Sequence, residues 1–514
     1  MARPTPRPSR TTRRLSRRVR WRNLLLAALA GGALAGSVIA RPLPGLAFAF
    51  PLWMLSLLDA ETPTWRRALA LGWAAGTGCN LVAFYWIPGL LQAFAGFPLV
   101  AALPVAFLLA LSQGLVMGVG TALAEMAHRA GAPRWLGFPA AITLTFSLAP
   151  ALFPWRPASG AVGWLHWAQP AELGGPPLLD LLCLGVGAGA WAAFRHRARA
   201  PALFAAACLL LPPLYGAIRL PEVRDDRAEA PSLRVGVVQP NIGIHDKHDP
   251  RQHPAHLRLL RRMTADLEGL GADLVVWPES AYPYPFPRGL PHDLVGARGL
   301  RREGVRGPLL VGAVTRGRGR CDRWNSVLAL ERSGRVAGVS DKVELLAFGE
   351  TVPLWEWLPP LQDMFPCPGL KAGDRPRALE LAGARIGVLN CYEDVLAEHA
   401  RTVALEDPHF LVNVTNDAWF GETREPHLHQ LIARQRTIET RRDLVRAVNT
   451  GVSAHVAATG ATLRETDTWE RTSFMADVRL VRGQTPWVRL GDTTTPTLYG
   501  AFLALALRRR RRGS

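Results

Sequence analysis

Lysine is nearly missing from this sequence. Of the 60 basic residues among 514, only Lys247, Lys342 and Lys371 are lysines, and the other 57 are arginines. Arginine serves wherever a generic positive charge is enough. Each retained lysine is therefore a candidate for chemistry that needs a primary amine, which a guanidinium cannot supply. Cysteine is sparse too. The six (Cys79, Cys183, Cys208, Cys321, Cys367 and Cys391) form no CxxC pair and show no Cys/His ligand spacing. That excludes a zinc-ribbon, a thioredoxin-like chain and a disulfide-built scaffold, and gives no reason to expect a metal or other cofactor. A Cys321–Cys367 bridge has no spacing pattern to support it. Acidic residues number 41, which leaves a net charge of +19. Such a surplus would suit nucleic acid, but the arginines stand in short blocks beside apolar stretches. That is the placement of membrane topology, so we expect a membrane and no nucleic-acid partner.

The hydrophobic content, 49 % overall, is concentrated in one half. Residues 23–219 are almost continuously apolar. Seven spans are expected at 23–40, 42–58, 68–87, 98–120, 135–153, 174–194 and 200–218, several near the ~20 residues a bilayer requires. A basic tail, 1–22, precedes the first span, but further apolar spans follow at once, so it is not a cleaved leader. The tail holds nine arginines, and alternate loops hold Arg66, Arg67, Arg129, Arg134, Arg195, Arg197 and Arg199. The intervening loops hold Arg41 and Arg156. This asymmetry places the tail in the cytoplasm and delivers the chain after the seventh span to the opposite side. A run at 493–507 followed by arginines at 508–512 reads as an eighth span returning a second basic tail, 508–514, to the cytoplasm.

Residues 220–232 read as a polar linker, and 233–487 as a soluble α/β domain in which strands alternate with helices. Strands are expected at 233–242, 272–280, 308–315, 326–331, 384–394 and 409–421. Helices are expected at 256–270 and 429–448. Reactive groups collect where strands end: Glu279 after LVVWP, Cys391 after IGVLN and Asn416-Asp417 after LVNVT, with Lys342 in the turn after SGRVAGVSD. Strand ends are where α/β domains place ligand chemistry. Alone, a cysteine after a strand reads more readily as packing. With a base and an amine at neighbouring strand ends it reads as a nucleophile, because a thiol must lose its proton and its developing oxyanion must be stabilised.

The motifs VVQPNI, VVWPESAYP, RWNS, DKVELLAFGETVP, LNCYED, VNVTNDAWFG and RTIETRRDLVRAVNTGVSA resemble the nitrilase superfamily. They resemble most its membrane-bound branch, the apolipoprotein N-acyltransferase family, and the layout is similar over nearly the whole chain. The resemblance implies a polytopic α-helical membrane domain joined to an αββα nitrilase-like domain. It assigns Glu279, Lys342 and Cys391 as the catalytic triad, with Glu350, Glu393, Tyr392, Asn325, Asn416 and Asp417 supporting them. Two positions depart from the family pattern. Ala347 stands where LVPFGE has proline, and His248 stands where Lys-Trp-Asp has tryptophan. The fifth span also lacks the usual Glu-Trp-x-Arg-Gly segment.

The same resemblance implies a monomer of the bacterial inner membrane with its catalytic domain in the periplasm. It would move an acyl chain from a phospholipid through a Cys391 thioester to the α-amino group of a diacylated apolipoprotein. Apolar loops at 281–290 and 352–366, with Trp355, Trp357 and Trp419, are expected to contact lipid. Against this stand two other readings of the residues: a membrane-tethered amidase, and a nitrilase-like scaffold without activity.

Overall fold

The computed structural model describes residues 10–39, 43–61 and 63–513. The first nine residues of the expected basic tail, residues 40–42, residue 62 and Ser514 lie outside them. The first half is helical: α1 (Arg10–Ile39), α2 (Pro44–Glu61), α3 (Trp65–Ala83), α4 (Ile87–Ala95), α5 (Leu99–Arg129), α6 (Arg134–Leu148), the short α7 (Leu165–Ala168), α8 (Ala171–His196) and α9 (Arg199–Glu229). Each of the seven expected spans overlaps one of these helices. Among the described residues, α1 from Arg20, α5, α8 and α9 are long and apolar enough to cross a membrane. α3 and α4, bent by 52°, together make a fifth. The expected spans on α2 and α6 do not meet that measure, and α6 is only 15 residues long. Nor does the expected eighth, because its apolar run stops at the arginine block.

Small residues bring α1, α3 and α5 together. A Cβ on Gly78 would sit 2.1 Å from the Ala28 carbonyl oxygen, and one on Gly76 would sit 2.3 Å from that of Gly114. Glycine is required at both places because the backbones themselves touch, the usual way apolar helices associate without a hydrophobic driving force.

The polar stretch expected as a linker is instead helical as far as Glu229. α9 runs on through Pro221, and β1 starts at Ser232. The charged residues are accommodated because they pair. Arg219 bonds Glu222 one turn on at 2.9 Å, and Arg227 forks onto the buried Asp443 of the second half at 2.8 Å. The helix end is thus docked rather than free.

The second half comprises β1 (Ser232–Gln239), α10 (Ile244–His248), α11 (His253–Gly269), β2 (Leu274–Val276), β3 (Tyr282–Pro287), β4 (Leu309–Arg316), β5 (Arg323–Leu330) and β6 (Val336–Asp341). It continues with α12 (Pro359–Met364), β7 (Leu379–Leu381), β8 (Ala384–Asn390), α13 (Ala397–Leu405), β9 (Phe410–Thr415), α14 (Glu425–Thr440) and β10 (Leu444–Val448). β11 (Ala454–Val456), β12 (Thr462–Glu465), β13 (Thr472–Arg479), α15 (Pro486–Leu490) and α16 (Thr494–Gly513) complete it. One sheet is ordered β13-β1-β2-β4-β5-β6, with β3 on β4, and the other β12-β11-β10-β9-β8-β7. Strands β1, β2 and β4 run parallel, as do β8, β9 and β10.

Side-chain alternation explains the layers. Leu274 and Val276 face inward with Val237 and Leu310 against Val388, Val412 and Val445 of the other sheet. Val275, between them, faces outward onto Leu260 and Leu267 of α11. On the far side Leu389 and Leu411 meet Ala400 of α13 and Ala433 of α14. Strands buried on both faces read as unbroken apolar runs, as these do. The result is the expected αββα sandwich. The helix expected over 429–448 is corrected: α14 stops at Thr440, where Arg441 turns left-handed at φ 52, and LVRAV becomes β10.

α14 also joins the two halves, since Ile438 belongs to the core of the helical half. Beside it Arg441 reaches Glu172 of α8 at 2.8 Å and Gln169 at 2.8 Å. Glu172, 3 % exposed, also accepts from Tyr215 and Arg219 of α9. Removing one partner from such a buried group strands the other charges. Glu172→Ala should therefore lower the stability of the detergent-solubilised full chain by about 3 kcal/mol, read by thermal unfolding; an unchanged melting temperature would contradict this role for the seam.

Candidate active site

Cys391 follows β8 directly and opens a 3-10 turn, Cys391–Val395. Its φ of 54° is left-handed, a conformation a non-glycine residue holds only when its surroundings impose it. Two groups impose it. Asn413 Nδ2, from β9, donates to the carbonyls of Leu389 at 3.1 Å and Cys391 at 3.0 Å. Glu393 Oε2 accepts the Asn390 N–H at 2.8 Å, closing the turn back on the strand end. The other oxygen of Glu393 accepts the N–H groups of Val343 at 2.7 Å and Glu344 at 3.0 Å, the two residues after Lys342. Burial alone would raise the Glu393 pKa, but His399 and the backbone donors outweigh it and hold the carboxylate below its ordinary value.

Lys342 sits at the end of β6, 2 % exposed, and pairs with Glu350 at 2.6 Å. Burial disfavours its charge, yet Cys391, Glu279 and Glu350 around it raise its pKa and keep it an ammonium. Glu279 lies beyond the end of β2. Asn325, on β5, donates one amide to both carboxylates, at 2.6 Å to Glu279 and 3.0 Å to Glu350, and accepts from Asn390 Nδ2 at 3.1 Å. Burial, with Glu350 nearby, raises the Glu279 pKa against the opposing pull of Lys342 and Lys247. Burial and then Glu279 raise the Cys391 pKa, and Lys342 opposes them. A thiol in this setting rests protonated, beside a Glu279 carboxyl whose affinity for protons is elevated.

Of the residues expected at the site, Glu279, Lys342, Cys391, Asn325, Glu350 and Glu393 are thus brought into one network. Tyr392 is half-buried beside them. Asn416 and Asp417 lie one layer away: Asn416 accepts from Asn449 at 2.8 Å and Asp417 meets His429 at 3.2 Å. Trp419 packs its ring 5.7 Å from His248. Trp355 donates to the Phe365 carbonyl at 2.8 Å, and Trp357 is 80 % exposed. Both lie in the long segment between β6 and β7, which exposes Phe348, Leu354 and Met364 as well. A Cys321–Cys367 disulfide and a Lys371–Asp322 ion pair at 2.6 Å pin that segment to β5. The other expected lipid loop, 281–290, is corrected. It forms β3, with Tyr282 and Phe286 buried in the core, because alternate aromatics turn inward against β4.

One participant was not assigned to the site from sequence. Lys247 donates to the Glu279 carbonyl at 3.1 Å and to Ser280 Oγ at 3.0 Å. Burial lowers its pKa to about 8, against the raising effect of Glu279 and Cys391. The signal was the scarcity of lysine: two of three surround the same cysteine.

A two-sheet α/β sandwich with this cluster at its strand ends is the carbon-nitrogen hydrolase type, and that family matches residues 234–485. The apolipoprotein N-acyltransferase N-terminal domain matches residues 30–189. Curated apolipoprotein N-acyltransferases from Geobacter metallireducens and Azotobacter vinelandii are 29 % and 31 % identical, each over 96 % of both chains. One from Sinorhizobium medicae is 32 % identical over 84 % of this chain and 86 % of its own. A solved nitrilase-superfamily amidase from Nesterenkonia AN1 is 20 % identical, with a TM-score of 0.36 over 49 % of this chain and 93 % of its own. The chain belongs to the apolipoprotein N-acyltransferase family and is a membrane protein.

Because Glu279 must be ionised to accept a proton and its pKa is raised, activity should be present above that raised value and fall as pH drops through it, above the ordinary 4.5. Asn325→Asp replaces a donor to the ionised form with a third negative charge. It should move this acid limb up by about one unit, measured as initial acylation rate against pH; an unmoved limb would contradict Asn325's control of Glu279.

Proposed function

We propose that this acyltransferase works through a Cys391 thioester, taking its acyl chain from a membrane phospholipid and giving it to the α-amino group of a diacylated apolipoprotein. The observation that carries the reading is the Asn325-linked pair Glu279 and Glu350, set with Lys342 around a cysteine held in a left-handed turn. In the first half-reaction Glu279 takes the Sγ proton and the thiolate attacks the ester carbonyl. Lys342 stabilises the oxyanion. The carbon–oxygen bond then breaks, the leaving alkoxide takes the proton from Glu279, and a lysophospholipid departs. In the second, the neutral α-amine attacks the thioester carbonyl, its proton passes to Glu279, and the carbon–sulfur bond breaks to leave an amide. The thiolate regains the proton.

We place the catalytic domain, 233–487, on the periplasmic face of the inner membrane, with 23–219 and a final helix at 493–507 as the membrane part and basic tails inside, acting as a monomer. The Cys321–Cys367 disulfide supports this, since such bonds persist in oxidising compartments. The exposed apolar segment carrying Trp357 supports contact with the lipid surface.

The test is direct. Purified full-length protein is mixed with acyl-labelled phospholipid, and label on Cys391 is released with neutral hydroxylamine; diacylated lipopeptide is then added. Label should appear on Cys391 and pass to the peptide amine. Passage to water alone would make the protein an amidase-type hydrolase, and no adduct would leave it a scaffold.

A further inference from the structure

A second cluster of ionisable groups lies at the far end of the nucleophile's own turn. Asp394, three residues after Cys391, binds His429 Nε2 at 2.7 Å and the buried guanidinium of Arg446. His429 Nδ1 meets Asp417 at 3.2 Å. Burial works against a charge on His429, but with both ring nitrogens on carboxylates it is held protonated, its pKa raised to about 10 by Asp394 and Asp417. Two carboxylates, Asp394 and Asp417, are therefore balanced by two cations, His429 and Arg446. Glu425, at the start of α14, is left over: its Oε2 has no hydrogen-bond partner among the described residues, and burial and then Asp417 raise its pKa to about 8. Once ionised, Glu425 leaves the cluster short by one positive charge.

The leftover carboxyl faces an apolar cleft of about 80 Å³ between the two halves, lined by Trp86, Phe153, Trp155, Val395, Leu428 and Ile432. Trp86 sits at the α3–α4 bend, its ring edge-on to Phe420 at 5.0 Å. It is 5 % exposed, and its indole N–H also lacks a partner among the described residues. The cleft thus offers one unused acceptor for a cation, one unused donor, and aromatic faces that favour an ammonium. A divalent metal fits less well. Asp417, Glu425 and His429 do have ligand atoms within 4.8 Å of one another, but both nitrogens of the imidazole are already engaged.

We propose that Glu425 and this cleft form a subsite for the primary ammonium of the donor phospholipid's headgroup, a role that rests on the acyltransferase reading above. Distance assigns it to the donor rather than the acceptor. An attacking amine must come within ~3.5 Å of the carbonyl on Cys391. The cleft opens beside Val395, roughly 8 Å along the 3-10 turn, too far for the attacking nitrogen but in reach of a headgroup whose ester lies at Cys391. Trp86 Nε1 would donate to the headgroup phosphate.

The test uses the full-length protein in vesicles of a dialkyl ether lipid carrying a minor fraction of labelled diacyl donor with an ethanolamine, choline or glycerol headgroup. The readout is the rate of hydroxylamine-sensitive acylation of Cys391. The unaltered protein should favour ethanolamine over glycerol about tenfold, the worth of one charge-assisted hydrogen bond, and should lose much of that preference with choline, which has no N–H. In Glu425→Gln the ethanolamine-to-glycerol ratio should fall toward one, and Glu425→Asp should restore part of it. A ratio unchanged in Glu425→Gln, or absent from the unaltered protein, overturns the proposal. So does a Glu425→Gln defect confined to transfer from preformed thioester to a diacylated peptide, which would make the acceptor's amine the occupant. A preference abolished by EDTA would put a metal there instead. If no donor acylates Cys391, the acyltransferase reading itself fails, and this subsite with it.

Discussion

One carboxylate decides whether the two halves of the chemistry meet. Lys342 ends a strand of one sheet and Cys391 ends a strand of the other. Packing of the sheets brings these ends near one another but does not fix the angle between them. Glu393 does, with one oxygen on the amides just after Lys342 and the other on the amide just before Cys391. It is 3 % exposed, so its charge is sustained by those donors and by His399 at 3.3 Å rather than by water. Buried charge is tolerable only when it is satisfied in this way. The left-handed turn at Cys391, the placing of Lys342 and the ordering of the loop after it all follow from that arrangement.

Around this hinge point the site is a small closed system of charges. Glu279 and Glu350 are coupled through one asparagine, and Lys342 approaches from the end of β6 and Lys247 from α10. The ammonium of Lys342 favours an anion at Cys391, whereas burial and Glu279 disfavour it. The thiol therefore rests protonated, in keeping with the proposed role of a nucleophile that gives up its proton only as it attacks. The helical half packs against the sandwich beside the site. It is clamped to α14 through Arg441 and Glu172, and its α3–α4 bend closes over the far side of the nucleophile's turn.

Much of this could be read from sequence because strand ends are marked by local pattern. LVVWPE and IGVLNC are apolar runs broken by reactive residues, and the α/β alternation and the placing of Glu279 and Cys391 at strand ends follow from where such runs stop, whereas the αββα layering came from the family resemblance. Features set by long-range contact were hidden. Glu393 could be named but not explained, since its partners are backbone amides 49 and 50 residues away. The segment 281–290 resembled a loop because of its prolines, yet β4 recruits it as a strand. The polar stretch after 220 resembled a linker because its pairing partner, Asp443, lies over 200 residues on. The 429–448 segment kept its helical spacing across Arg441, and nothing local announced the left-handed turn there. Glu425 drew no notice because a single glutamate at a helix start is ordinary until its neighbours' charges are counted.

The most direct test of the central constraint is Glu393→Gln in the full-length protein, with two rates measured side by side: acylation of Cys391 by phospholipid, and alkylation of the same thiol by a small reagent. The substituted side chain would turn an amide donor toward backbone donors and release one strand end from the other. Acylation should fall by about 100-fold, the scale of one lost stabilising contact in a preorganised site, while alkylation persists. Acylation near the level of the unaltered protein would contradict the account, because Lys342 and Cys391 would then be held together by something other than Glu393.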